Sequence, residues 1–152
     1  MSSFKTHRRF NYFIFIIACL ALNHFNLFNV YVMLTFTIGF IIGTEFITPD
    51  LDGQSTPTQR WGFIWIPYRI LRKHRGVSHN YVLGFIERIT YLFLLISVII
   101  LLVKSDIYIS SLKYIMNPAI MAILLVIIVG IAIANGLHIF LDRVTSKIKG
   151  NI

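Results

Sequence analysis

The histidine and aspartate residues of this chain are the side chains whose types and spacing suggest metal chemistry. His74 and His79 lie in one short segment, whereas His138 and Asp142 are four residues apart and would share one face of a helix. Imidazole nitrogens and carboxylate oxygens are ligands for zinc, manganese and iron. Burying such groups without a partner is costly, and one divalent cation would satisfy several of them. The candidate metal ligands are His7, Asp50, Asp52, His74, His79, His138 and Asp142.

The number of candidate ligands bears on the type of site. Because they exceed the three or four protein ligands of one zinc centre, the sequence predicts one or two ions. Asp50 and Asp52 follow Pro49, and both reach one cation only if the chain curls there. For hydrolysis, the expected nucleophile is a metal-bound water, whose pKa falls toward about 7. Without a metal, the alternatives are a histidine–carboxylate proton relay or a set of helix caps.

The elements that must position these residues are apolar segments of membrane-spanning length. The chain has 152 residues, of which 57% are hydrophobic and only 13% charged, against about 25% charged in a soluble domain. It is therefore predicted to be a single membrane-embedded domain, residues 1–152, of the all-α polytopic class. A bilayer needs about 20 helical residues per crossing. Four apolar runs predict transmembrane helices, at residues 10–24, 27–46, 81–103 and 118–141.

Three further sequence features bear on the predicted membrane helices and on the type of metal site. Gly39 and Gly43 form a small-xxx-small pair that would let the second helix pack closely on a neighbour, unless they only reflect the tolerance of membrane helices for glycine. The basic start followed by an apolar run also resembles a secretory signal, but the later spans and His7 favour a retained helix. The single Cys19 excludes an internal disulfide framework and a multi-cysteine zinc site.

Lysine and arginine predict the orientation, because cytoplasmic segments retain them. Eleven lie before the first span, between the second and third, or after the fourth, and only Lys104 and Lys113 lie on the other side. We therefore expect a multi-pass protein of the cytoplasmic membrane with both termini and the long loop 47–79 in the cytoplasm. Nucleic acid is not expected as a partner, since the basic residues lie where this bias alone would put them.

The predicted cytoplasmic loop, residues 47–79, combines aromatic and basic side chains. Trp61, Phe63, Trp65 and Tyr68 alternate with basic side chains, a composition suited to the lipid headgroup layer. The basic residues are Arg60, Arg69, Arg72 and Lys73. Membrane lipid is therefore the expected partner, and a membrane-surface anchor is one interpretation of the loop. A second role is contact with an anionic substrate through Arg69 or Arg75.

Several of these motifs occur together in an order that resembles a known family. They are Thr6-His7 with Asn11, Pro49-Asp50-Leu51-Asp52, Arg60-Trp61-Gly62 with Trp65, Pro67-Tyr68-Arg69, His74-Arg75-Gly76 with Ser78-His79, and His138 with Asp142. The chain is similar to small prokaryotic metal-binding membrane proteins, domain of unknown function family 2227. More distantly it resembles the YdjM-like membrane-bound metal-dependent hydrolases. The resemblance implies metal binding by the seven candidate ligands, and more weakly hydrolysis; it departs at Arg8, where members often carry an acid.

The sequence thus leads to one main hypothesis and two alternatives. The main one is a metal-dependent hydrolase of phosphoester or other ester substrates at the cytoplasmic membrane face, with zinc as the favoured cation and manganese or iron as the others. The first alternative is a membrane protein whose metal only holds the loop to the helix ends. The second is a protein whose basic loop binds anionic lipid.

Overall fold

A computed structural model describes residues 3–27, 29–52, 56–60, 62–71, 80–103 and 115–150. Within these residues the protein is all-α, as predicted, and contains no strand. The helices are α1 (Phe4–His24), α2 (Val30–Glu45), a 3-10 helix (Pro49–Asp52), α3 (Thr56–Arg60), α4 (Gly62–Leu71), α5 (Leu83–Val103) and α6 (Pro118–Gly150).

The four long helices each begin at a polar side chain that accepts hydrogen bonds from the first turn. The hydroxyl of Ser3 accepts from the backbone N–H of Thr6. The side-chain oxygens of Asn29, Asn80 and Asn117 do the same for α2, α5 and α6. These caps satisfy N–H groups that have no partner inside a helix, and they place the helix starts.

Helices α2 and α6 pack with their backbones in contact. A Cβ atom at Gly39 would lie 2.1 Å from the carbonyl oxygen of Ile127, and one at Gly43 would lie 2.8 Å from the Cα of Ile131. Gly130 meets the carbonyl oxygen of Phe36 in the same way, at 2.6 Å. The close packing expected from the glycine pair is therefore present, and the two helices run parallel.

Helices α1 and α5 run antiparallel to α6. On α1, the Asn11 side chain donates to the carbonyl oxygen of Ala134. His7, one turn nearer the start of α1, contacts His138 and Asp142, which lie further along α6. On α5, Arg88 donates to Asn135, and the ring of Tyr81 lies 4.2 Å below the guanidinium of Arg143. One end of the bundle therefore contains the starts of α1 and α5 and the ends of α2 and α6.

The segment predicted as a loop, residues 47–79, is largely helical in its described part. Trp65 and Tyr68 of α4 are buried in a core with Ile47, Leu51 and Ile131. The expectation that these two aromatic side chains face lipid headgroups is wrong, because they pack inward against α5 and α6. Trp61 and residues 72–79 lie outside the described residues.

Two of the described helices are long and apolar enough to cross a membrane, over Leu83–Leu102 and Pro118–Ile148. Helix α2 is apolar but has only 16 residues. The topology with four spans therefore stays a prediction.

Two helices extend beyond the apolar spans that hydropathy predicts. Helix α1 begins at Phe4 and not at residue 10, and α6 continues to Gly150 and not to 141, because polar residues extend both helices beyond their apolar parts. In the extension of α6, the Thr145 hydroxyl donates to the carbonyl oxygen of Leu141.

Candidate metal centre

Two helices contribute buried polar side chains to the same end of the bundle. On α6, Asn135, His138 and Asp142 are spaced by three and four residues, so they share one face. This face points into the bundle, where His138 is 3% exposed. His7, in the first turns of α1, is 2% exposed and lies opposite them.

The ligand atoms of these residues converge. His7 Nε2 lies 3.2 Å from Asp142 Oδ1, and His138 Nε2 lies 3.6 Å from Asp142 Oδ2. One ligand atom from each of the three residues can be chosen so that all lie within 4.8 Å of one another. In a tetrahedral zinc site with bonds of about 2.0–2.1 Å, neighbouring ligand atoms are about 3.3 Å apart. The spacing of the three side chains therefore fits a divalent cation with little rearrangement.

Asp50 adds a fourth donor. The 3-10 helix Pro49–Asp52 curls the chain after α2, which brings Asp50 Oδ2 to 3.3 Å from His138 Nε2. Such a curl is what the sequence requires if Asp50 and Asp52 are both to reach one cation. The side chain of Asp52, and the whole of His74, Arg75 and His79, lie outside the described part of the chain, so their predicted roles stay predictions.

The protonation of His7, whose ring lies beside that of His138, also suits a cation. Their rings are stacked, with centroids 3.7 Å apart and planes inclined by 6°. Burial lowers the pKa of His7 below its ordinary value of 6.5, the proximity of His138 lowers it further, and Asp142 and Asp50 oppose the shift. His7 is therefore neutral at pH 7, which is the form that binds metal.

The Nε2 atom of His138 provides an independent test of whether a metal fits. It is buried and forms no hydrogen bond within the described residues, although two carboxylates lie close to it. A buried ring nitrogen without a hydrogen bond is unfavourable, and coordination to a cation shared with those carboxylates would remove this cost. The residues present therefore fit a metal ion.

A layer of hydrogen bonds holds the metal-centre residues in place. Asn11 donates to Thr44 at 3.2 Å and to the carbonyl oxygen of Ala134 at 3.1 Å, which joins α1, α2 and α6. Asn135 donates to the carbonyl oxygen of Ile47 at 2.7 Å and accepts from Arg88 at 2.8 Å. Sequence reasoning did not assign a role to Asn135 or Arg88. The sequence contains a signal for both residues, since a polar residue inside an apolar segment is usually functional or paired.

Glu45 forms a second polar cluster next to the candidate ligands. It accepts a hydrogen bond from the Tyr12 hydroxyl at 3.0 Å, and it pairs with Arg8 at 3.1 Å and Arg60 at 3.2 Å. Both arginine side chains remain about half exposed, at 49% and 46%. Arg8 directly follows His7 on α1, so this cluster and the candidate metal centre lie at the same end of the bundle. Arg69, predicted to contact an anionic substrate, is half-buried on α4.

Within the described residues, fold and site together define a helical bundle with a candidate His–His–Asp metal centre at one end. The chain matches the family model described as uncharacterized metal-binding protein (DUF2227) over residues 2–151, and it belongs to that family. An uncharacterized protein of Aquifex aeolicus (strain VF5) is 43% identical over 61 residues, which cover 38% of this chain and 43% of the relative. The matched segment thus spans less than half of that relative. No solved structure matches the chain significantly, and these comparisons lend no support to the YdjM-like relationship.

Proposed function

We propose that this protein is a membrane-embedded, metal-dependent hydrolase that acts on a phosphoester or another ester at the cytoplasmic membrane face. The observation that carries this proposal is the convergence of His7, His138 and Asp142 on one small volume, with Asp50 3.3 Å from His138. Two imidazoles with carboxylates favour zinc, and they also suit manganese or iron. When bound, such a cation supplies the Lewis acidity that activates water and polarises a substrate oxygen.

The protein's own residues bind the metal, position the helices and bind the substrate anion. Burial keeps His7 neutral and available as a ligand, and Asn11 and Asn135 hold the helices that present the donors. Arg8 and Arg60 are half exposed at the same end of the bundle and can bind the charged group of an anionic substrate. The single carboxylate of Glu45 orients both arginines, but it neutralises only one of their two positive charges.

The location of the charges supports a cytoplasmic site. The end of the bundle that contains the candidate ligands also carries Arg8, Arg60, Arg143 and Lys147, all exposed. Since cytoplasmic ends of membrane helices are enriched in lysine and arginine, we place this end in the cytoplasm, with four spans and both termini inside.

One observation favours a second candidate, a metal that only stabilises the fold. The donors come from α1, the 3-10 helix and α6, so a cation would join three elements. His7, His138 and Asp142 are also nearly inaccessible, and only Asp50 is partly exposed. A protein of this kind would bind metal but would hydrolyse no substrate.

The proposal is tested by measuring metal content in detergent-purified protein by elemental mass spectrometry, together with hydrolysis of p-nitrophenyl phosphate and bis-p-nitrophenyl phosphate. We expect near-stoichiometric metal and activity in the wild type, and loss of both in His138→Ala and Asp142→Ala. The matched control is His24→Ala, which removes an exposed histidine at the other end of α1. Metal without turnover would support the second candidate, and a wild type that takes up neither zinc nor manganese would refute both.

A further inference from the structure

An apolar groove lies between α2, α4 and α5, next to the core that contains Ile47 and Trp65. Its volume is about 230 Å³, and its lining side chains are Ile42, Phe46, Ile47, Ile64, Trp65 and Leu92. An apolar cavity of about 150 Å³ stays dry and binds small hydrocarbons, because water finds no hydrogen-bond partner there. The lining of this groove therefore favours a hydrocarbon ligand.

The groove lies at the level of an apolar span. The ring of Trp65 stacks on that of Tyr91 at 5.5 Å between centroids, and the Tyr91 hydroxyl donates to the backbone of Ile64. Tyr91 is eight residues inside the apolar stretch that starts at Leu83, which corresponds to about 12 Å along the helix. If α5 crosses the bilayer, as proposed above, this part of α4 lies at the depth of the lipid hydrocarbon.

The outer surface around the groove is also apolar. Phe63, Ile66 and Ile70 lie on one face of α4 and are 74%, 50% and 78% exposed. Only 6% of the apolar window in α5 is buried. Such a surface is costly in water and suits contact with lipid tails, so in the proposed membrane arrangement the opening of the groove would face acyl chains.

The groove is connected to the candidate metal centre by a short piece of chain. Ile47 lines the groove, its carbonyl oxygen accepts from Asn135, and Asp50 lies three residues further on, at most about 11 Å of backbone. Phe46, also in the lining, directly follows Glu45, which holds Arg60. An apolar groove thus adjoins a basic group and the candidate ligands, an arrangement complementary to an amphiphile with an anionic head.

From this arrangement we infer that the groove binds one acyl chain of a membrane lipid, and that the substrate of the hydrolase is a lipid phosphoester. The chain would lie against Ile47, Trp65 and Leu92, with the phosphate toward Arg60 and Asp50. The lining and depth of the groove support the lipid site independently of any activity, whereas the identity of the substrate rests on the proposed function.

Occupancy of the groove is measured by fluorescence quenching of Trp65 in vesicles of phosphatidylcholine brominated at mid-chain. The chain has two tryptophans, so Trp61→Phe leaves Trp65 as the reporter. Trp65 is 3% exposed, and efficient quenching therefore requires bromine inside the groove. We expect strong quenching, which Leu92→Phe reduces by filling the groove and the matched variant Leu94→Phe, on the exposed face of α5, leaves unchanged.

Leu92→Phe and Leu94→Phe are also compared in the wild-type background, so that the experiment still gives a result if Trp61→Phe folds poorly. Weak quenching, or equal quenching in Leu92→Phe and Leu94→Phe, would overturn the groove as a lipid site. This readout needs no catalytic activity, so it stays informative if the proposed hydrolase function fails.

Substrate class is tested separately with dioleoyl phosphatidic acid, dioleoyl phosphatidylglycerol and water-soluble p-nitrophenyl phosphate. We expect Leu92→Phe to raise the KM for the hydrolysed long-chain lipid about tenfold, because each displaced methylene is worth about fourfold in binding. The matched variant Leu94→Phe, outside the groove, should leave the kinetics with the lipid and with p-nitrophenyl phosphate unchanged. Hydrolysis of p-nitrophenyl phosphate but of neither lipid would overturn the inferred substrate class and leave the hydrolase proposal intact.

Discussion

At the scale of single residues, His138 occupies the central position of the candidate site. Its Nε2 atom lies 3.3 Å from Asp50 and 3.6 Å from Asp142, and its ring stacks on His7. Two stacked imidazoles close to two carboxylates can be stabilised by protons or by a cation. Burial and the neighbouring ring both disfavour protonated His7, so a cation is the better solution at neutral pH.

The lowered pKa of His7 predicts a pH dependence of stability in the metal-free protein. Below its ordinary pKa of 6.5 the unfolded chain takes up a proton that folded His7 does not accept until a lower pH. This contribution is therefore fully present above about pH 6.5 and is lost as the pH falls, by at most about 1.4 kcal/mol per pH unit. Thermal or denaturant unfolding at pH 7.5 and 5.5 measures it.

His7→Gln, which cannot titrate in this range, is the comparison for that experiment. The free energy of unfolding of this variant should depend less on pH between 7.5 and 5.5 than that of the wild type. An identical pH dependence in the two proteins would show that His7 is not held neutral by its surroundings.

At the scale of secondary-structure elements, the packing of α2 on α6 determines where the ligands meet. Gly39, Gly43 and Gly130 bring the two backbones into contact, and Asn135 then reaches the carbonyl oxygen of Ile47 at the end of α2. Because the 3-10 helix with Asp50 follows directly, its position relative to His138 depends on this close approach. A wider spacing would separate Asp50 from His138.

Gly39→Ala is therefore expected to weaken both packing and metal binding. Its Cβ would lie 2.1 Å from a backbone oxygen of α6, a contact that only separation of the helices can relieve. We expect destabilisation of about 1–3 kcal/mol, as for other overpacked sites, with reduced metal content. The measurements are thermal unfolding in detergent and elemental mass spectrometry.

Gly136→Ala on α6 is the matched control, since a Cβ there meets no other side chain or segment within 4 Å among the residues that the structure describes. It should be neutral or stabilising by up to about 1 kcal/mol, because alanine is the better helix former. Equal effects of the two substitutions would contradict the role assigned to backbone contact at Gly39.

At the scale of the whole molecule, the candidate ligands join parts of the chain that are far apart in sequence. His7 lies near the start, Asp50 after the second helix, and His138 and Asp142 in the last helix. A cation bound to all four would therefore connect three elements of the bundle. Its binding energy would add directly to the stability of the folded state.

Removal of metal by a chelator should consequently lower the thermal stability of the purified protein. At a free zinc concentration about 100 times the dissociation constant, the expected loss is about 2.7 kcal/mol. Stability should return when zinc or manganese is added back, and it should be insensitive to the chelator in His138→Ala. An unchanged Tm in the wild type after verified metal loss would argue against a structural contribution of the cation.

The sequence by itself determined the class of element and the local features. Apolar runs predicted the long helices, and the spacing of His138 and Asp142 placed both on one face, because periodicity in a helix depends only on neighbouring residues. The position of His7, Asp50, His138 and Asp142 at one end of the bundle followed from the alternation of apolar and basic segments. The Gly39–Gly43 pair left close packing and simple tolerance both open, and the structure shows the former.

Only the tertiary structure decided which donors meet and what surrounds them. The approach of His7 to Asp142 depends on the rotation of α1 and α6 about their axes, and this rotation is set by contacts of Asn11 and Asn135 with distant segments. The pairing of Arg8 and Arg60 with Glu45, and the inward position of Trp65, likewise depend on residues from different helices. Such contacts minimise the free energy of the whole bundle, so no local pattern in the sequence specifies them.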